Sequence, residues 1–414
     1  MIATCVLVAA CGSGATTAEV DASASSDASV SPDSSALTTL TVVGGTGGGR
    51  YPAGAEVHVF ADAPPHLRVA LGWTGDGVTF LAEADEWHTT LRVPSSDVTI
   101  TATLAPATST PTLRSYTGGS TRTKRAYLFR PATAPRGLLV VLHGTGGSAT
   151  FATGGEALAV VQRAVVDGWA VLSPEAEEAV AGDLDGDGKE RWNVAVTTDN
   201  IDLVSLDGLI AAVRTDLALP STAPNAVLGM SNGGAMALAL GAVAALASSG
   251  DFAALRFVAA VSHCASGRTS QAQVTTTPTL FLGCANDDNG EVSLDQIAGN
   301  SGAITSRGVR SMFRLHPAAP LYPERFTRVP GIDTAVSAAI YAELAGKLDA
   351  DGYVVVTSDA LIAEITAQPA LFPTLTSLTA AQQREVLNQL RATLAAHQMY
   401  SDWAAFALDF IDTP

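Results

Sequence analysis

The sequence predicts an α/β protein: a mostly parallel, doubly wound sheet with a late helical insertion, preceded by a small all-β module. Three observations carry this. After residue 120, short apolar runs such as "LLVVLHG" alternate with stretches of helical periodicity. That alternation calls for parallel strands covered on both faces. After residue 330 the pattern becomes helical throughout. Before residue 106 the apolar period is two, as in half-buried strands.

The chain has 414 residues, enough for more than one domain. Its 23 Lys and Arg stand against 40 Asp and Glu, a formal charge of −17. A surface so acidic repels phosphate backbones, so nucleic acid is excluded as an expected partner. The four cysteines form no CxxC pair, which gives no sign of a zinc or thioredoxin-like site.

The first element is "MIATCVLVAACGSG", an apolar run too short to span a bilayer. Val8-Ala9-Ala10-Cys11 resembles the lipobox of bacterial lipoprotein signals. The resemblance implies cleavage before Cys11 and diacylation of its thiol, hence an exported protein held at a membrane through a lipid anchor. No Lys or Arg precedes Arg50, so the basic n-region of such a signal is missing, and a plain secretory signal is the alternative. Residues 12–37 are almost all Ala, Ser, Thr, Asp and Gly, the composition of a flexible tether.

Residues 38–106 read as the β module. Val98, Ile100, Ala102 and Leu104 alternate with threonines, and "EVHVFADA" alternates likewise. The stretch resembles divergent internalin-type repeat modules of bacterial surface proteins. Trp73 reads as core; a carbohydrate-binding face using Trp73 or Trp87 is the functional alternative.

Residues 107–414 form the expected catalytic domain. "WAVLSPE", "NAVLGM", "RFVAAVS", "PTLFLG" and "VRSMFRL" read as strands, and "EALAVVQRAVVDG" and 233–248 as helices. In the insertion, about 317–395, Val336, Ile340, Leu344 and Leu348 recur at i+4. Thr379 and Gln382 form a capping box ahead of Val386, Leu390 and Leu394.

Ser231 sits in Gly229-Met230-Ser231-Asn232-Gly233, a G-x-S-x-G with a strand before it and a helix after. That context lifts a serine hydroxyl above a sheet on a tight turn, with helix N–H groups aimed at it. A helix-capping serine is the alternative. His143-Gly144-Thr145-Gly146-Gly147 follows a buried strand and resembles the oxyanion loop of α/β-hydrolases. The backbone N–H of Thr145 would join that of Asn232 in holding an oxyanion, each worth about 3 kcal/mol in the transition state. His143 reads as a brace for this loop. Together "LHGTGGSA" and "GMSNGGAM" resemble the poly(3-hydroxybutyrate) depolymerase and feruloyl-esterase-like group of α/β-hydrolases. The resemblance covers about residues 120–315 and the C-terminal end. It implies an α/β-hydrolase fold, an acyl-enzyme mechanism without a cofactor, and an ester substrate, polymeric in part of that group.

The acid is expected after the strand "PTLFLG". Asp287 continues the strand–Gly–x–x–N–D pattern, and Asp288 is its alternative. For the base, His316 follows the last strand, where simple topology puts it. "HQMYSDWAAFALDF" resembles the hydrolase ending in which the histidine precedes the final helix, which favours His397. Cys264 and Cys284 follow neighbouring strands, so a bridge is geometrically allowed, with two reduced thiols as the alternative. Asp183, Asp185 and Asp187 have EF-hand spacing, but Val194 stands at the twelfth position, so a full calcium loop is absent; a solvated acidic turn is the default and a calcium site of lower coordination the alternative. The reading is therefore an exported serine hydrolase using Ser231, His397 and Asp287 on a carboxylic ester. A peptidase or amidase with the same triad, and a non-catalytic surface binding protein, are the alternatives.

Overall fold

The computed structural model describes residues 37–117, 122–246 and 252–413. The signal-like segment with Cys11, and the tether up to residue 36, lie outside the described residues. The module begins with β1 (Leu37–Val43) and continues through β2 (Gly45–Thr46), β3 (Gly49–Pro52), β4 (Glu56–Ala61), β5 (Arg68–Thr74), β6 (His88–Arg92) and β7 (Val98–Pro106). One sheet has the order β3-β1-β7-β5, with β1 and β7 parallel; the other has the order β2-β4-β6 and is antiparallel. The period-two residues Val98 and Ile100 pack with Val57, Val59, Phe60 and Leu91 between the sheets. Trp73 and Trp87 are both only 5% exposed in this core, which removes them from any sugar-binding face.

The large sheet is built from β8 (Thr112–Tyr116), β9 (Lys124–Phe129), β10 (Gly137–Leu142), β11 (Trp169–Pro174), β12 (Asn225–Met230), β13 (Ala259–His263), β14 (Thr279–Cys284) and β15 (Ser311–His316). Its order is β8-β9-β11-β10-β12-β13-β14-β15. Strands β11 to β15 and β10 run parallel, and β9 and β8 turn antiparallel at the far edge. The parallel strands are apolar on both faces because helices cover both. Leu139 and Val141 face α1 (Gly155–Val166) and α8 (Ala404–Asp412). Leu138, Val140 and Leu142 face α2 (Ile201–Asp216) and α3 (Asn232–Leu246). A further helix, α4 (Leu294–Thr305), covers β14 and β15.

The insertion supplies α5 (Thr334–Leu344), α6 (Ser358–Ala367) and α7 (Ala380–Thr393), with its own small core around Phe326, Ile340, Phe372 and Val386. Thr379 and Gln382 make both bonds of a capping box at the start of α7. The i+4 series overshoots by one turn: α5 ends at Leu344, and Gly346 lies between it and Leu348 in a short 3-10 turn.

Candidate active site

Strand β12 is buried along its whole length and delivers the chain to Ser231. Ser231 has φ +57°, a left-handed conformation that costs a non-glycine residue about 1–3 kcal/mol. Its neighbours make the turn sterically feasible. A Cβ on Gly229 would collide with the carbonyl of Gly233, and one on Gly233 with the carbonyls of Leu142 and His143. The Ser231 N–H donates to the His263 carbonyl at 2.8 Å, and the Ser231 carbonyl accepts from Ala235 at 3.0 Å. The backbone is thus fixed and the hydroxyl stands free of it.

That hydroxyl lies 2.9 Å from His397 Nε2, and His397 Nδ1 lies 3.0 Å from both Oδ1 and Oδ2 of Asp287. Asp287 is almost wholly enclosed, so its carboxylate fixes the ring with Nδ1 as donor and leaves Nε2 as acceptor toward Ser231. The loops carrying the two residues are clamped to each other. Asn286 N–H donates to the Ala395 carbonyl and Asn286 Nδ2 to the Leu394 carbonyl, each at 2.9 Å. The Tyr400 hydroxyl donates to the Gly283 carbonyl at 3.1 Å.

Asp288 takes a different place. Its Oδ2 accepts from the Ser358 hydroxyl at 2.8 Å and its Oδ1 faces the His397 N–H at 3.4 Å. Burial opposes its charge, but the Ser358 and His397 donors outweigh it and hold the carboxyl below its ordinary range. His316 is buried away from the hydroxyl. It stacks on Tyr400 at 3.9 Å, its Nε2 lies 3.1 Å from the Ala392 carbonyl, and burial lowers its pKa.

The glycine-rich loop passes beside the nucleophile: a Cβ on Gly144 would lie 3.1 Å from that of Ser231. His143 is fully buried beneath it. Its Nδ1–H donates to the Gly144 carbonyl at 2.7 Å, and its Nε2 accepts from Ala176 N–H at 3.2 Å. Burial keeps the ring neutral by lowering its pKa. The backbone N–H groups of Thr145 and Asn232 have no hydrogen-bond partner among the described residues.

Three features of the site had little or no sequence signal. Trp192 clasps the Asn232 side chain through both backbone groups, donating to Oδ1 at 2.7 Å and accepting from Nδ2 at 3.2 Å, while its indole N–H bonds the His143 carbonyl at 3.0 Å. Asn289 Nδ2 lies 3.1 Å from His397 Nε2. Lys189 and Glu291 pair across the mouth. Only the asparagine next to Asp287 and Asp288 in "NDDNG" lay close enough in sequence to be suspected.

A disulfide joins Cys264 and Cys284, tying the end of β13 to the end of β14 just before Asp287. In the acidic loop the carboxylates of Glu178, Asp183 and Asp185 lie within 4.8 Å of one another. Asp183 already accepts from Gly186, Asp187 and Gly188, and Asp187 turns to Arg191 instead. The three aspartates of the EF-hand-like spacing therefore do not converge on one point.

Over Ser231 and His397 lies a cavity of about 460 Å³. It continues past Asn232 into one of about 290 Å³ beside Trp192, Arg268 and Gln296. On the other side, past Gly144 and Met230, it continues into one of about 650 Å³ between the glycine-rich loop and Arg384, Glu385 and Asn388 of α7. An extended substrate could cross the hydroxyl with a polar arm on each side.

No protein-family model matches the sequence, and no curated protein matches it. Among solved structures the chain is similar to the acylaminoacyl peptidase of Pyrococcus horikoshii, at 12% identity and TM-score 0.37, over 50% of this chain and 36% of that one. It is also similar to esterase 2 of Thermogutta terrifontis phosphorylated by paraoxon, at 15% identity and TM-score 0.38, over 50% and 81%. A Pyrococcus furiosus esterase is similar at 10% identity and TM-score 0.37, over 50% and 83%. Likenesses this distant carry no argument about activity, and the functional reading rests on the geometry above.

Proposed function

We propose that this chain is an exported serine hydrolase that cleaves a carboxylic ester through an acyl-enzyme. The observation that carries the reading is the unbroken line from Asp287 through His397 to the Ser231 hydroxyl, at 3.0 and 2.9 Å, on a left-handed turn. Ser231 Oγ attacks the ester carbonyl as its proton passes to His397 Nε2. The carbonyl oxygen takes the negative charge and is held by the N–H groups of Thr145 and Asn232. Collapse breaks the bond to the alcohol oxygen, which receives the proton from His397. Water then attacks the acyl-serine by the same route in reverse, giving the acid and free Ser231. No step calls for a cofactor.

The test is a panel of p-nitrophenyl esters of rising acyl length, with p-nitroanilides alongside and a polyester film as polymeric substrate. The wild-type protein is expected to release p-nitrophenol and to be labelled by a fluorophosphonate. Ser231→Ala should abolish labelling and lower ester turnover by several orders of magnitude. Labelling that persists in Ser231→Ala removes the serine from its role. Turnover of anilides at the rate of esters would move the reading to an amidase.

A further inference from the structure

Three consecutive residues of the β module reach across to the segment that carries His397. Glu86 Oε1 accepts from Phe406 N–H at 2.8 Å and its Oε2 from Ala405 N–H at 3.2 Å. These are amides of the first turn of α8, so a side chain of the module caps the last helix of the catalytic domain. Trp87 lays its ring under the Arg328 guanidinium, 3.9 Å from the ring centre. Arg328 in turn holds Glu156 at 2.8 and 2.9 Å and the Ser401 hydroxyl at 3.0 Å. His88 Nδ1 bonds Asp402. Ser401 and Asp402 stand four and five positions after His397.

The module itself holds this tripeptide rigidly. Trp73 Nε1 donates to the Glu86 carbonyl at 2.9 Å, and His88 Nε2 meets His58 Nδ1 at 2.9 Å, whose Nε2 meets the Tyr353 hydroxyl of the insertion at 2.9 Å. Every one of these partners is buried or half-buried. An appended binding module needs no such grip, and a module on a swinging linker would not lay a buried tryptophan ring and the Ala63 carbonyl on the arginine of the catalytic domain's buried Glu156–Arg328 pair.

We propose that Glu86-Trp87-His88 is a positioning element of the catalytic site: the β module fixes the loop between α7 and α8, and thereby the height of His397 above Ser231. The inference rests on His397 being the base. Glu86 and its neighbours touch no reacting atom and act through the backbone of the 395–406 segment. A base displaced by about 1 Å loses up to about a hundredfold in rate, while the cavity beside Trp192, Arg268 and Gln296, which no residue of the 395–406 segment lines, keeps its shape.

The test compares full-length wild type, Glu86→Ala, Glu86→Gln and Ser231→Ala on one p-nitrophenyl ester, with active sites counted by fluorophosphonate and folding followed by circular dichroism. Per active site, Glu86→Ala is expected to lose at least about tenfold in kcat with KM within about twofold. Glu86→Gln, which keeps one oxygen for the Phe406 amide, should recover most of that loss. A role in stability alone would lower the count of active sites and leave kcat per site unchanged, and that result overturns the proposal. Should Glu86→Ala not fold, Trp87→Phe decides: it leaves no buried charge unpaired and weakens the hold on Arg328. A fall of at least about threefold in kcat supports the proposal and an unchanged kcat overturns it. Wild-type turnover in Ser231→Ala would instead sink the triad itself, which separates the two failures.

Discussion

At the scale of the residue, the site is a contest between histidines. Both candidates lie at the C-terminal end of the sheet, and only surroundings separate them. His397 has a carboxylate at one ring nitrogen and the Ser231 hydroxyl at the other. His316 is packed face to face against Tyr400 with a backbone carbonyl as its partner. We predict that His397→Ala loses at least about a thousandfold in kcat, as when the base of a triad is removed. His316→Ala should keep kcat within about tenfold and show its cost as a lower Tm, because it empties space in a close-packed core. A dead His316→Ala beside an active His397→Ala would reverse the assignment. Ser231, Thr145, Asn232, Asp287 and His397 are legible in the sequence as candidates because each lies in a short string whose spacing is local. Trp192 stayed hidden because its role is a clasp on Asn232, forty positions away, and nothing periodic marks such a contact.

At the scale of the element, the buried parallel strands were legible as unbroken apolar runs because helices cover both their faces, and the long helices by their length and apolar content between turn signals. β8 was not: its five residues are mostly exposed and show no alternation. α8 was legible as a helix, but its cap was not, because the capping carboxyl group comes from the module. Burial raises the pKa of Glu86 to about 8, opposed by the Phe406 and Ala405 amides and by Arg163 and with Asp402 adding to the rise. The unfolded chain releases this proton near pH 4.5, the folded chain only near 8. Folding therefore favours the protonated carboxyl, and the stability it contributes is full below 4.5 and is lost as pH rises toward 8. Glu86→Gln, which never ionises, should flatten that limb. The check is Tm by calorimetry from pH 5 to 8: wild type should decline more steeply than Glu86→Gln, and parallel curves would show that Glu86 titrates normally.

At the scale of the whole molecule, we propose an acidic body carrying the triad, joined through a tether to a lipid anchor. Among the described residues no helix is long and apolar enough to cross a membrane. The proposed attachment is the lipobox cysteine alone. Wild type should then partition into the detergent phase and incorporate labelled palmitate, and Cys11→Ser should emerge as soluble protein. A wild-type chain that stays in the aqueous phase with its first ten residues intact would end the lipoprotein reading. The grip of the module has one more consequence, in time rather than space. Glu86 and Phe406 are 320 positions apart, and His88 and Asp402 are 314 apart. A chain emerging N-terminus first would present a finished module with nothing to hold, then a serine with no base. Only when residues 397–406 arrive do both partners meet. Contacts of such separation form late and slowly, so under the proposed triad a half-delivered chain lacks its base, and cleavage by a protease near residue 400 should abolish ester turnover while leaving most of the chain's bulk intact.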